Sequence, residues 1–126
     1  MANEAIVTNN APAAIGPYSA AIKSGNVINV SGQLPIDPAT GEFAGDDITS
    51  QTRQSLTNVK SVLAAAGATM ANVAQATVLL DSIADFGAMN EVYGEFFSAP
   101  YPARAAFEVA ALPKGAKVEI EVVAYL

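Results

Sequence analysis

A chain of 126 residues is one domain's worth, long enough to bury a core and too short for two. Its 12 acidic and 6 basic residues leave a net charge of −6, which repels phosphate backbones and anionic lipid and works against a nucleic-acid or membrane partner. With no cysteine and no histidine, disulfides, thiolate nucleophiles, Cys-ligated metals and the commonest general base are all excluded.

The N-terminal stretch MANEAIVTNNAPAAIG has neither a basic n-region nor an apolar h-region. No apolar run approaches the roughly 18 residues of a membrane span, and a cytoplasmic protein is expected. Residues 19–31, SAAIKSGNVINVS, hold two short strand-like pieces around Ser24-Gly25-Asn26, where Gly and Asn supply the positive φ values of a hairpin turn. The segment 35–47, PIDPATGEFAGDD, is dense in Pro, Gly and Asp and is predicted to be loop. Asp46 or Asp47 can cap a helix over about 47–66, in which Ile48, Thr52, Leu56, Val59, Val62, Leu63 and Ala66 recur at helical spacing up to a stop at Gly67.

VAQATVLL at 73–80 is rich in β-formers and short enough to be a strand. Ser82-Ile83-Ala84-Asp85 has the form of a capping box with Asp in the Glu position. Phe86, Met89, Tyr93, Phe96 and Phe97 give a second helix its apolar stripe, read as core, which ends before Pro100 and Pro102. Beyond Pro102 the pattern alternates: Arg104, Ala106 and Glu108 share one face, Ala105, Phe107 and Val109 the other. After a turn at Leu112-Pro113-Lys114-Gly115, Val118, Ile120, Val122 and Ala124 oppose Lys117, Glu119, Glu121, Val123 and Tyr125. If the apolar faces pack under the helices, Arg104, Glu119 and Glu121 look out from the helix-free side. The element order predicts an α+β domain spanning residues 1–126, with two helices on one face of a mixed β-sheet. Charged residues make up only 14% of the chain against a typical value of about 25%, so part of the surface is expected to be buried against copies of itself.

Four segments carry a resemblance: APAAIGPYSAAI, NVINVSGQLPIDPATGE, QTRQSLTNVKSVLAAAG and YPARAAFEVAALPKGAKVEIE. Together they resemble the RidA/YjgF family of reactive-intermediate deaminases, nearly from end to end. The most specific part is Pro-Ala-Arg, an apolar strand, and then Leu-Pro-x-x-x-x-Val-Glu-Ile. The resemblance implies a chorismate-mutase-like subunit assembled as a homotrimer, its sheets lining a central barrel, with three sites in the clefts between subunits. It implies hydrolysis of 2-imino acids such as 2-aminoacrylate to 2-oxo acids and ammonia, that is, 2-iminobutanoate/2-iminopropanoate deaminase activity, with no cofactor and no metal.

By the same resemblance, Arg104 grips the substrate carboxylate through its planar fork and Glu119 polarises the attacking water; these two are the catalytic candidates. Glu121 shares the face of Glu119, so spacing alone does not separate them, and the family motif selects Glu119. Tyr18 would close over the ligand from the adjacent subunit, Ser31 would offer a hydroxyl, Gly32 would let backbone approach closely, and Asn90 would line the site. Ala106 would also line it, and stands where many members of the deaminase branch carry Cys, a difference expected to alter pocket volume more than the chemistry. Two other functions are compatible with these residues: a non-catalytic module binding 2-oxo acids or other small carboxylates, and an endoribonuclease or translation inhibitor. The acidic balance and missing histidine count against the last.

Overall fold

The computed structural model describes residues 2–126. Six strands, β1 (Glu4–Ile6), β2 (Ala21–Ser24), β3 (Val27–Gln33), β4 (Val73–Leu80), β5 (Ala103–Glu108) and β6 (Val118–Tyr125), form one sheet in the order β1-β2-β3-β6-β4-β5. Every pairing is antiparallel except that of β4 with β5. Two helices, α1 (Ile48–Ala65) and α2 (Phe86–Phe96), pack against each other, and α1 lies across β3 and β6. The fold is therefore the expected α+β mixed sheet with its helices on one face.

The local reasons follow the sequence closely. Gly25, at φ +61°, makes the β2–β3 turn. Asp47 rather than Asp46 caps α1: its carboxylate accepts from the Ser50 backbone N–H at 3.0 Å and the Ser50 hydroxyl at 2.7 Å. Gly67, at φ +84°, turns the chain out of the helix. Leu56, Val59, Val62 and Leu63 of α1 are fully buried against Ile28 of β3 and Ile120 of β6.

The loop before α1 is tied down by polar groups on that helix. Asn58 donates to the carbonyls of Leu34 (3.1 Å) and Ile36 (2.9 Å), and Gln51 donates to Gly45 while accepting from the Lys117 N–H. These buried amides occupy the positions between apolar residues and fix where β3 ends and β6 begins.

Three expectations are corrected. Strand β1 went unread because three residues are too short to display alternation. The capping box at Ser82 is absent: Ser82 accepts from Ala84 N–H and caps a 3-10 turn over Ile83–Asp85, and α2 starts after it with no side-chain cap from Asp85. The third correction concerns the sheet faces. In register, Ala76 of β4 lies beside both Arg104 of β5 and Val122 of β6, and Val78 beside Ala106 and Ile120. Arg104, Ala106 and Glu108 thus belong to the helix-bearing face, and the Ala105 and Phe107 face of β5, taken for the buried one, is exposed. Glu119 and Glu121 do look out from the helix-free side, beside Leu79 and Thr77.

Candidate functional site

Strand β5 is the sheet's edge, and α2 returns over it, so a long side chain on its helix-bearing face meets α2 rather than solvent alone. Arg104 does this. Its Nη1 donates to Asn90 Oδ1 at 2.7 Å, and its Cζ lies 4.7 Å from the Tyr93 ring centroid and 5.4 Å from that of Phe86. Residues 86, 90 and 93 follow one another at one-turn spacing, so a single helix face presents ring, amide and ring to the guanidinium. An ion pair with a carboxylate on the neighbouring strand, the ordinary alternative for a strand arginine, is not formed; the ion pair among the described residues is Arg53–Glu95, at 3.1 Å on the outer helix surface. Arg104 is held by neutral groups, and its remaining N–H donors keep a full positive charge available to an anion.

The second group gathers where β3 pairs with β6. The ladder slips between Val30 and Gln33, and Ser31 and Gly32 occupy the slip inside β3. The Glu119 side chain lies across Gly32 so closely that a methyl group on Gly32 would overlap the carboxylate. Burial, and secondarily the like charge of Glu121, push the Glu119 carboxyl above its ordinary range. Glu121 is exposed. The two carboxylates that spacing could not separate are therefore distinguished by environment: one is half-buried against backbone, the other is solvated.

Ser31 spends its hydroxyl proton on the Ser19 carbonyl at 2.6 Å, leaving its oxygen lone pairs free to accept. Tyr18 is 53% exposed, its hydroxyl in long contact (3.4 Å) with the Ile15 N–H. It borders a hollow of about 460 Å³ on the helix-free face, with Ser31, Thr77 and Glu121, and a smaller one of about 40 Å³ with Gly32 and Gln33. The larger hollow is an open stretch of sheet face and does not include Glu119. Glu119 does not line the smaller hollow either, but Gly32, over which its carboxylate lies, does.

The predicted residues thus divide into two clusters. Arg104, Asn90 and Ala106 lie together at β5 and α2, and Ala106 packs partly into the core. Tyr18, Ser31, Gly32 and Glu119 lie at β3 and β6. Because Arg104 and Glu119 stand on opposite faces of the sheet, one protomer does not bring them together. Phe86 and Tyr93 were read only as core; their spacing from Asn90 was the available signal that they share its task. No three His, Cys, Asp or Glu side chains converge among the described residues in a way that could hold a metal ion. Among the described residues, no helix is long and apolar enough to cross a membrane.

Residues 8–126 match the family model described as endoribonuclease L-PSP. A RutC family protein, y4sK of Sinorhizobium fredii, is 57% identical over 120 residues, 95% of each chain. The 2-iminobutanoate/2-iminopropanoate deaminase of Capra hircus is 51% identical over 119 residues, covering 94% of this chain and 87% of the goat protein. The crystal structure of RidA from the Antarctic bacterium Psychrobacter sp. PAMC 21119 superposes with a TM-score of 0.94 at 46% identity, covering 98% of this chain and 99% of that one.

Proposed function

The chain belongs to the RidA/YjgF family, whose family model is described as endoribonuclease L-PSP, and on that premise we propose that it is a 2-imino acid deaminase working at sites shared between subunits of a homotrimer. The observation that carries the proposal is the neutral cradle of Arg104. A guanidinium held by an amide and two rings, at the sheet's edge, is a carboxylate receptor without a resident carboxylate. The substrate carboxylate fills that vacancy, and the adjacent subunit supplies Tyr18, Ser31, Gly32 and Glu119.

The chemistry asked of the site is small. Glu119 accepts a proton from water as the water oxygen bonds to C2 of the imine, giving a carbinolamine. Glu119 passes that proton to the imine nitrogen, then takes the proton of the carbinolamine hydroxyl and delivers it to the same nitrogen as the C=O forms and the C–N bond breaks, so both protons of the water leave on ammonia and the 2-oxo acid remains. A carboxyl raised by burial is better matched to a proton that must be taken and then given back near neutral pH. Imines of this class already hydrolyse in water, so orientation and one polarising carboxylate supply the few kcal/mol required. The net charge of −6 favours this reading over cleavage of a polyanion, whatever the family model's description.

The test is semicarbazone formation from an imino acid freshly generated by a dehydratase or an amino-acid oxidase. Wild type is expected to suppress the semicarbazone and Arg104→Ala is not. Equal signals with and without wild type would overturn the deaminase function and leave a carboxylate-binding module; in that case Glu119→Ala would bind 2-oxo acids as well as wild type or better.

A further inference from the structure

Tyr93 lends its ring to the cradle of Arg104, and its hydroxyl takes no part in it. Tyr93 is only 5% exposed, and its hydroxyl is buried with no hydrogen-bond partner. Buried phenols ordinarily find one, because an orphaned hydroxyl is costly to keep. A phenylalanine would fill the same space, stack on Phe97 as Tyr93 does (ring centroids 4.5 Å apart), and leave nothing unsatisfied. The ring itself, however, stands closer to the Arg104 guanidinium than any other aromatic face, at 4.7 Å against 5.4 Å for Phe86.

We infer that Tyr93 is a positioning residue: its ring face, one helical turn beyond Asn90, holds the Arg104 guanidinium in the orientation that receives the substrate carboxylate. The inference rests on the function proposed above for Arg104. It assigns the two α2 partners different tasks. Asn90 takes one N–H of the fork and fixes its rotation. The Tyr93 ring fixes the plane's distance from α2 and attracts the charge without neutralising it, which a carboxylate at the same place would do. Since the carboxylate is present in both substrate and transition state, loosening its receptor weakens both alike and appears in KM rather than kcat.

The experiment compares Tyr93→Leu and Tyr93→Phe by steady-state deamination and by the NMR signal of the Arg104 Nε–H, identified by its disappearance in Arg104→Lys. Tyr93→Leu is expected to raise KM by about 2- to 30-fold with kcat held within about twofold, and to remove the ring-current shift of the Nε–H. Tyr93→Phe keeps the ring and is expected to restore both. A KM that rises equally in both variants, or a loss confined to kcat, overturns the inference. Should Tyr93→Leu fail to fold, Phe86→Leu serves as the second variant: it must leave the larger part of the shift in place, and abolition of the shift by Phe86→Leu alone would refute the primacy of Tyr93. The NMR arm needs no turnover. If wild type shows no deaminase activity, the proposed function fails, and the Nε–H response still decides whether Tyr93 holds Arg104.

Discussion

Replacing Gly32 by Ala tests whether the Glu119 carboxylate works where the fold puts it. A Cβ built on Gly32 overlaps Glu119 Oε2 and stands 2.9 Å from Cδ and 3.1 Å from Cγ. Ordinary non-bonded carbon separations are about 3.5–4.0 Å, so the carboxylate must withdraw by on the order of 1 Å. The backbone itself does not object, because Gly32 is not among the glycines with positive φ. A displacement of about 1 Å in a catalytic group costs about 10²-fold in rate, or roughly 2.7 kcal/mol of transition-state stabilisation. The expected result is therefore kcat down about 100-fold, with KM within about twofold because Arg104 is untouched, and a melting temperature close to wild type. The semicarbazide assay over a range of imino acid concentrations separates the two constants. Wild-type kcat in Gly32→Ala, or a loss carried by KM, would show that the Gly32–Glu119 contact is packing and not catalytic geometry.

Two further outcomes follow from the same site. Glu119→Gln is expected to lose at least about 10²-fold in kcat and yet to melt higher than wild type at neutral pH. The sign comes from linkage. The folded-state proton affinity of Glu119 is raised above the ordinary 4.5, so the native state gains stability from this group at low pH and loses it as pH rises through the folded value. Calorimetry of both proteins from acid to neutral pH checks this, and a stability difference that does not grow with pH would contradict it. Mixing denatured Arg104→Ala and Glu119→Gln chains at equal ratio and refolding them together should recover about one quarter of wild-type activity, the statistical share of interfaces that pair one intact Arg104 with one intact Glu119 in a random cyclic assembly. Recovery of none, with mixed oligomers demonstrated, would place the whole site in one protomer.

How much of this was legible in the sequence depended on whether a residue's neighbours were near in the chain. Helix α1, strand β4 and the β2–β3 hairpin carry their signals locally, in a cap, a stop glycine and a period, and each was located to within a residue or two. Strand β5 was located equally well and its faces were assigned backwards. The error is physical. Alternation says which residues share a face, and only the pairing partner says which face is buried; β5 pairs in parallel with β4, and Ala76 on the helix side decides for Arg104. The chain's unusual apolar content then misled, because Ala105 and Phe107 look like a core face while standing exposed, with Phe107 at 46%. In the same way Tyr93 and Phe86 read as core at helical spacing, which they are, while the guanidinium that also uses them comes from a strand beyond the helix. The distinction between Glu119 and Glu121 was not available from period 2 at all; it arises from a bulge in a strand nearly ninety residues earlier.

Under the proposed function the inverted strand also links assembly to chemistry. An edge strand with one face turned toward helix α2 and the other bare leaves two surfaces to be completed, and the bare one carries Ala103, Ala105 and Phe107. A lone protomer would expose that apolar strip, its unpaired edge groups and the uncompensated charge of Arg104 together. Under the proposed function a second copy relieves all three at once: its sheet face covers the apolar strip, and its Tyr18, Ser31 and Glu119 approach the guanidinium without salt-bridging it, since a direct Arg104–Glu119 pair would close the receptor against substrate. That requirement explains why Glu119 is drawn back over Gly32, half-buried and reluctant to ionise, instead of reaching outward as Glu121 does. Gly32 leaves the room in which the carboxylate folds back, and the neutral cradle on α2 keeps the arginine in place without the partner that most arginines have.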